Sequence, residues 1–402
     1  MPLMLVADAL ARVLAGADAL PGETVTLYEA DGRVLAEDLA SRRAQPPDAV
    51  SAMDGYAVRA SDVASPPATL KVIGEVAAGH PIDGEVKAGQ AARIFTGGVM
   101  PKGSDTVVIQ EHALRDGDTV TIQKAAAKGR NVRVQGIDFT QGQTLLRKSR
   151  RLTDRDVMLA AAMNYAALPV HRRPRVAVLA TGDELVPPGS TPKPGEIVYS
   201  NGFALIALAR NAGAEVRDFG IARDKVEAIA AVVRQARDWG ADVLVTSGGA
   251  SVGEHDLVQR ALKSEGLDLS FWRVALRPGR PMMHGRLGAM HVLGVPGNPV
   301  SAYVCAFLFL TPLIARLSGR NDAAYAPEPA RLGSDLPAND ERQDYLRATL
   351  ELGSEGLTAT PLPNQDSSLM APLASAGCLL IREPHAPAAS SGSRCVILKL
   401  SL

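Results

Sequence analysis

Three short segments of this sequence gather residues suited to a phosphorylated, metal-assisted substrate. Thr181-Gly182-Asp183-Glu184 follows the apolar run RVAVLA, and Thr246-Ser247-Gly248-Gly249-Ala250-Ser251-Val252-Gly253-Glu254-His255-Asp256 follows ADVLV. Pro296-Gly297-Asn298-Pro299-Val300-Ser301 follows MHVLGV. The second segment sets three glycines and three hydroxyl residues ahead of a helix-like stretch, so backbone N–H groups can curl around an anion while hydroxyls assist. It is neither a Walker A loop, since no Lys-Ser/Thr pair follows the glycines, nor a G-x-S-x-G elbow. Gly248 and Gly249 would serve equally as positive-φ residues of a tight turn.

Asp183, Glu184, Glu254 and Asp256 place four carboxylates on two of these segments. That set suits Mg²⁺, which takes one or two carboxylates together with phosphate oxygens and water; singly, each also suits a helix N-terminus. In Arg273-Val274-Ala275-Leu276-Arg277-Pro278-Gly279-Arg280-Pro281, a Pro-Gly turn separates two basic residues. Arg277 and Arg280 can then fork onto one oxyanion, or form a solvated hairpin tip. His255 and His284 show no catalytic spacing, and Met282-Met283 read as core strand residues. Further polar turns, SAMDGY (51–56), RIFTGG (93–98), GRNVR (129–133) and Gly136-Ile137-Asp138, can be sites or bends.

These segments need elements to position them. From Pro174 onward apolar strands alternate with amphipathic helices, which predicts right-handed crossovers and a mostly parallel sheet. In such a sheet ligands bind beyond the carboxyl ends of the strands, so the three segments are expected to converge. Residues 3–18 carry apolar groups at helical spacing, and a strand-like run spans Arg33–Leu39. Thr153-Asp154-Arg155-Asp156 reads as a capping box opening the Ala-rich helix VMLAAAMNYAAL, expected to pack on the N-terminal helix. Between them, TLKVIGEV, TVVIQE and DTVTIQK are short β runs divided by turns. After the PEPARLGSDLPAND stretch, five short runs predict a small β-domain, barrel-like in its alternation of short strands. The expected organisation is a split first domain (1–44 and 143–173), an inserted β-rich domain (45–142), an α/β domain (174–322) and a C-terminal β-barrel domain (323–402).

With 402 residues, 46% hydrophobic and 21% charged, the chain is long enough for about three domains and too apolar for disorder. Lys plus Arg and Asp plus Glu are each 43, so no net field draws it to nucleic acid or an anionic membrane. Aromatics at 4% argue against a base-stacking surface. Cys305, Cys378 and Cys395 have neither disulfide nor zinc-site spacing. The start reads as an amphipathic helix rather than a signal peptide, and VSAYVCAFLFL is too short to span a bilayer, stopping at Thr311-Pro312. A cytoplasmic location is expected.

The set SAMDGYAVR, RIFTGG, TGDEL, TSGGASVGEHD, LRPGRP and LGVPGNPVSA, in this order, resembles the molybdopterin molybdenumtransferases, the MoeA and gephyrin E-domain family. The resemblance spans nearly the whole chain and implies an elongated homodimer whose clefts combine both subunits. It implies that molybdate is inserted into adenylated molybdopterin while the pyrophosphate bond is hydrolysed, releasing AMP. Asp183, Glu184, Asp224 and Asp256 would act on the pyrophosphate, with Asp183, Glu184 and Asp256 holding Mg²⁺. Thr181, Ser247, Gly248, Gly249, Ser251, Pro296, Gly297, Asn298 and Pro299 would bind substrate. Molybdate would meet Arg273, Arg277, Arg280, Arg347 and Ser367. In the insert, Asp54, Thr96, Arg133 and Asp138 match functional positions.

The chain departs from the family pattern in two respects. Arg277 and Arg280 stand where Lys is common, and Ala49 stands where an Asp usually precedes the Ser51 motif, with Asp48 one residue further back. Rival readings are the molybdopterin adenylyltransferase, which needs neither insert nor barrel, and a gephyrin-like receptor scaffold without catalysis. Tungstate, of nearly the same size and charge, is a rival to molybdate. The adenylyltransferase and acceptor molybdoenzymes or their chaperones are the implied partners.

Overall fold

The computed structural model describes residues 3–248, 257–322, 325–354 and 356–400. Its centre is a six-stranded sheet in the order 215–222, 175–181, 243–247, 290–295, 283–287, 268–272. The first four strands are parallel and the last two antiparallel, so the sheet is mostly parallel as predicted. Helices cover both faces. The helices are α1 (Val6–Leu14), α2 (Asp154–Ala162), which stands apart from this sheet, α3 (Asn201–Asn211), α4 (Val226–Asp238), α5 (Leu257–Ser264) and α6 (Pro299–Leu317). Strand alternation assigns the faces: Val176, Val178, Val243 and Val245 pack with α3 and α6. Ala177, Leu179 and Leu244 pack with α4 and α5 on the other side.

The insert forms its own six-stranded mixed sheet, from Gly55–Val58 to Thr119–Ile122, with cores around Val58, Val108 and Ile94. At the C-terminus, 328–332, 343–353, 356–361, 378–382 and 394–399 pair in a closed ring, a five-stranded barrel without free edges. The first of its strands, Glu328–Leu332, lies inside the PEPARLGSDLPAND stretch rather than after it, so among the described residues only four strands follow that stretch. Leu276–Arg277 adds to the barrel strand at Gln343–Asp344, stitching it to the α/β domain.

Four local expectations are corrected. The first concerns α1, which does not share a core with α2: Val6, Ala9 and Val13 are buried with α3, α6 and the central sheet, and Ala275 donates its N–H to the Met4 carbonyl. α2 belongs to a separate core with Leu35, Leu146 and Leu168. Second, the Ala-rich helix stops at Ala162 instead of running through 168. Asn164 takes φ +73°, and the N–H groups of Asn164 and Tyr165 return to Ala161 and Ala160, a left-handed C-terminal cap. Residues 167–171 are then free to pair antiparallel with Gly22–Thr26. The capping box itself is present, with Thr153 and Asp156 bonding each other's backbone N–H.

Third, Pro312 does not end its helix. A π-helical turn at Ala306–Leu310 precedes it, and the Leu308 carbonyl, stripped of its proline partner four residues on, accepts from the Tyr325 hydroxyl at 3.0 Å. The resulting 19-residue helix is long and apolar enough to cross a membrane, yet most of it is buried against sheet and barrel. Fourth, Arg33–Leu39 is not a strand: single bridges at Val34 and Leu35 lead to a two-residue strand at Leu39–Ala40.

Candidate functional site

The order of the central sheet reverses at 175–181, whose neighbours are the second and third strands, 215–222 and 243–247. Loops leaving adjacent strands there part in opposite directions and leave a crevice, the usual ligand position of an open α/β sheet. A cavity of about 370 Å³ fills it, walled by Thr181, Glu184, Tyr199, Asn201, Ser247 and Gly248, with Gly297, Asn298 and Pro299 of the third segment. Ser368 and Met370 of the C-terminal domain close one side. The three segments therefore converge as their topology predicts.

Their closeness is set by glycine. Gly248 has φ +93°, and a Cβ there would sit 2.5 Å from the Thr181 carbonyl oxygen. Across the crevice, the side-chain amide of Asn201 at the start of α3 donates to Ser247 Oγ (3.0 Å) and to the Gly297 carbonyl (2.7 Å). Sequence reasoning missed Asn201, although a polar Ser-Asn-Gly immediately before an apolar helix was the available signal. Among the described residues Thr181 Oγ1 and the Tyr199 hydroxyl are buried without partners beside the cavity, and burial raises the Tyr199 pKa. Two orphaned hydroxyls on a cavity wall suit a ligand rich in oxygen atoms.

Asp183 and Asp224, both exposed, face each other across two loops: the N–H of each points to the other's carboxylate at 3.4 and 3.3 Å. Gly182, at φ +151°, brings the Glu184 carboxylate back over the same turn, where a Cβ on Gly182 would meet it. Gly249, Ser251, Glu254, His255 and Asp256 lie outside the described residues. Among the described residues no three acidic, His or Cys side chains cluster closely enough to hold a metal alone. Asp183 and Glu184 still supply the one or two carboxylates that Mg²⁺ needs when phosphate oxygens complete its shell.

Toward the barrel, Asn298 donates to Ser367 Oγ at 2.9 Å and the Val300 N–H to the Ser367 carbonyl at 3.1 Å. Arg347 is 1% exposed, its guanidinium directed at the Asp366 and Asn364 carbonyls (3.0 and 3.4 Å) with Nε unpartnered, and burial lowers its pKa. With no ion pair among the described residues and the Asp366 carboxylate offsetting its charge only in part, this buried guanidinium keeps positive potential for an incoming anion.

The hairpin expectation is corrected at Arg277. Its guanidinium does not stand free beside Arg280 but binds Asp340 (3.0 Å), Asn339 (3.0 Å) and Asp344, acceptors brought in by the barrel strand paired with Leu276–Arg277. Asp344 is buried, which raises its pKa, whereas the Arg342 and Arg277 guanidiniums hold Asp340 at about 2. Arg280 is exposed, and Arg273 stacks over Trp272 at 4.7 Å with φ +84°. Met282 and Met283 are buried, the latter in a strand. His284 is buried against His291, outside the cavity lining.

In the insert, Asp54 Oδ1 accepts both the N–H (2.7 Å) and the hydroxyl (2.8 Å) of Thr96, which lowers the Asp54 pKa. Arg133 pairs across from Val50, and the Asp138 N–H donates to the Gln45 carbonyl. Thr96, Arg133 and Asp138 are exposed and Asp54 is half-buried, and none lines the cavity of the α/β domain.

A ligand cavity at the strand reversal of a doubly wound sheet, lined by hydroxyls and a helix start and closed by a loop of the C-terminal domain, is the site arrangement of an α/β enzyme. Residues 4–164 match the MoeA N-terminal region (domain I and II), 177–316 a probable molybdopterin binding domain, and 329–400 the MoeA C-terminal region (domain IV). A molybdopterin molybdenumtransferase of Haemophilus influenzae is 34% identical over 93% of this chain and 93% of its own. One from Nostoc is 38% identical over 82% of this chain and 77% of its own. The crystal structure of a molybdopterin biosynthesis MoeA protein from Pyrococcus horikoshii superposes with a TM-score of 0.86 at 31% identity, covering 100% of both chains. The chain belongs to the MoeA family of molybdopterin molybdenumtransferases. It is a transferase of molybdenum cofactor biosynthesis, inserting molybdenum.

Proposed function

We propose that the chain inserts molybdate into adenylated molybdopterin, with Mg²⁺-assisted hydrolysis of the pyrophosphate bond and release of AMP. The observation that carries this reading is the convergence of Thr181, Ser247, Gly248, Gly297 and Asn298 on one cavity whose rim also holds the barrel residue Ser367, bonded to Asn298. The pyrophosphate would sit over the Ser247-Gly248-Gly249-Ala250-Ser251 segment and the start of α6 at Pro296–Pro299, where N–H groups and helix dipoles favour anions. Asp183, Glu184 and Asp256 would hold Mg²⁺, which supplies charge neutralisation at the phosphates, and Asp224 orders the Asp183 loop.

Molybdate and the pterin dithiolene are both anionic, so their approach requires fixed cations. Arg273, Arg277, Arg280 and Arg347 with Ser367 would provide them. An oxyanion reaching Arg277 exchanges places with Asp340 and Asp344, which leaves the guanidinium paired in both states. Asp54, Thr96, Arg133 and Asp138 do not line the cavity of their own chain, which supports a homodimer in which they serve the partner's cleft. We place the protein in the cytoplasm, receiving substrate from the adenylyltransferase and passing product to acceptor molybdoenzymes or their chaperones. The chain is read as units 1–44 with 143–173, 45–142, 174–322 and 323–402.

Purified protein given adenylated molybdopterin, Mg²⁺ and molybdate is expected to release AMP with metal incorporated. Asp256→Asn is expected to slow release at least about tenfold, a barrier increase of roughly 1.4 kcal/mol or more. AMP release indifferent to molybdate, or a fully active Asp256→Asn protein, overturns the reading.

A further inference from the structure

A second polar cavity lies outside the candidate site, at the seam between the antiparallel pair 22–26/167–171 and the carboxyl ends of helices. It measures about 320 Å³, and its wall includes Lys148, Ser149, His171, Arg316, Arg320 and Asn321, with Asp18 the one carboxylate among its lining residues. His171 and Arg320 also border a narrow cleft that brings in Arg151, Arg172 and Arg173. In a chain of no net charge this is a strong local excess of cations.

Part of the excess has a local explanation. Arg316 donates to the Ala17 carbonyl just beyond α1 (3.2 Å), Arg151 to Asn211 at the end of α3 (3.3 Å), and Arg173 to Gly213 (3.2 Å). Cations are favourable at helix carboxyl ends. A carbonyl, however, satisfies a donor without neutralising its charge. Carboxylates answer only some of the group: Glu23 pairs Arg33, Asp242 pairs Arg172 at 2.7 Å and Asp322 pairs Arg320 at 2.6 Å. Among the described residues Lys148, Arg151, Arg173 and Arg316 have no direct ion pair, although Asp38 attracts Lys148, Asp322 attracts Arg151 and Glu23 attracts Arg173 at longer range. Burial first, then the Arg33 and Arg151 guanidiniums, lower the Arg173 pKa, with Glu23 offsetting them in part.

Lys148 lies at no helix end, so the dipole argument does not reach it. It follows the strand 144–146 and lines the cavity opposite the end of α6. His171 adds an independent sign. The residue is 9% exposed, Nδ1 lies 2.7 Å from the Leu20 carbonyl, and Nε2 is buried with no partner among the described residues, packed over Gly319. With Nδ1 donating, Nε2 is a bare acceptor for which the described residues supply no donor.

We propose that this seam cavity binds a small tetrahedral oxyanion of the phosphate, sulfate or molybdate type, clamped between Lys148 on one side and Arg316 and Arg320 on the other. The bound anion joins two parts of the chain that otherwise present like charges to each other. The site is separate from the cavity at the strand reversal, and its existence does not depend on the reaction assigned there.

Titration calorimetry of the full chain with inorganic phosphate, at ionic strength held constant with chloride, tests this. The wild-type protein is expected to show a saturable phosphate site that Lys148→Ala and Arg316→Ala each weaken at least about tenfold, as for loss of a charge-assisted contact. Lys128→Ala, an exposed charge control, is expected to leave it intact. Arg316→Lys keeps the charge and is expected to retain most binding, which guards against a folding defect in Arg316→Ala. Competition by sulfate and by molybdate then identifies the source: equal competition supports a general oxyanion site, and preference for molybdate supports a second site for the substrate metal. Unchanged affinity and stoichiometry in Lys148→Ala and Arg316→Ala, or a thermal shift by phosphate that chloride reproduces, overturns the proposal in favour of helix-capping arginines alone.

Discussion

The side-chain amide of Asn298 donates to the hydroxyl of Ser367 at 2.9 Å, joining a loop of the parallel sheet to a loop of the barrel at the rim of the cavity. A neutral hydrogen bond of this kind contributes about 1 kcal/mol to stability, whereas one to an anionic ligand contributes roughly 1.5–3 kcal/mol. Ser367→Ala should therefore reveal whether the hydroxyl serves the fold or the oxyanion. Expected is a rise of about tenfold in the KM for molybdate with a melting temperature close to wild type, read from AMP release against molybdate concentration. An unchanged KM assigns Ser367 to the seam alone.

Asn201 holds two of the three converging loops with one amide, through Ser247 Oγ and the Gly297 carbonyl. Asn201→Ala frees both loops without touching the sheet beneath them. A fall in kcat/KM of at least about tenfold is expected, since small misplacements of positioning groups are costly. Circular dichroism and urea midpoint should move little, and equal losses of activity and stability would contradict a positioning role.

The parts of this architecture written in local pattern were legible. Alternation in Val176–Leu179 and Val243–Val245 assigns faces because a strand's side chains alternate, and the Thr153/Asp156 box announces a helix start because only those side chains reach the N–H groups there. What depends on a distant partner was not legible. The apolar stripe of α1 says that it must be buried, not that Val274 and α6 rather than α2 will bury it. Pro312 is an expected stop whose cost is removed by Tyr325, and Arg277 reads as a free fork because its acceptors Asn339, Asp340 and Asp344 arrive only when the barrel docks. The loops of the candidate site were found through topology, but Asn201 was hidden inside a helix segment read only for its apolar positions.

Arg277 and Asp344 form a pair in which one member is buried and the other half-exposed. Removing the guanidinium leaves Asp344, 4% exposed and with Oδ1 already unpartnered, as an uncompensated buried carboxylate. Arg277→Ala is expected to cost roughly 3 kcal/mol of stability in urea denaturation. Adding Asp344→Asn should restore a large part of that loss, because the neutral amide has no charge to strand. Failure of the double variant to recover would show that the hydrogen bonds to Asn339 and Asp340, and not the buried charge, carry the effect.

Gly248 cannot be replaced without moving the Thr181 loop, since its φ of +93° and the 2.5 Å approach to the Thr181 carbonyl both exclude a Cβ. Gly248→Ala is expected to abolish detectable AMP release while far-UV circular dichroism stays native, the strain being confined to the turn at about 1–3 kcal/mol. An active Gly248→Ala protein would remove the turn from the site.

Acid should weaken the central sheet through two stacked histidines. Burial, then the Arg286 guanidinium, depress His284 to about 4 and His291 to about 3, whereas both titrate near 6.5 when exposed. Between those limits the unfolded chain binds more protons than the folded one, so stability is fully present above pH 6.5 and declines as pH falls toward 4. At pH 5 each ring would contribute a loss of roughly 2 kcal/mol if it titrated independently. Arg286 bonds His291 and opposes protonation of both rings, while Asp242 favours it only at His291. Urea midpoints measured from pH 7.5 to 5 should fall in the wild type and fall less steeply in His284→Gln, which removes one titrating ring from the pair. Parallel slopes in the two proteins would place the acid sensitivity elsewhere, and a midpoint that rises on acidification would reverse the sign assigned to this pair.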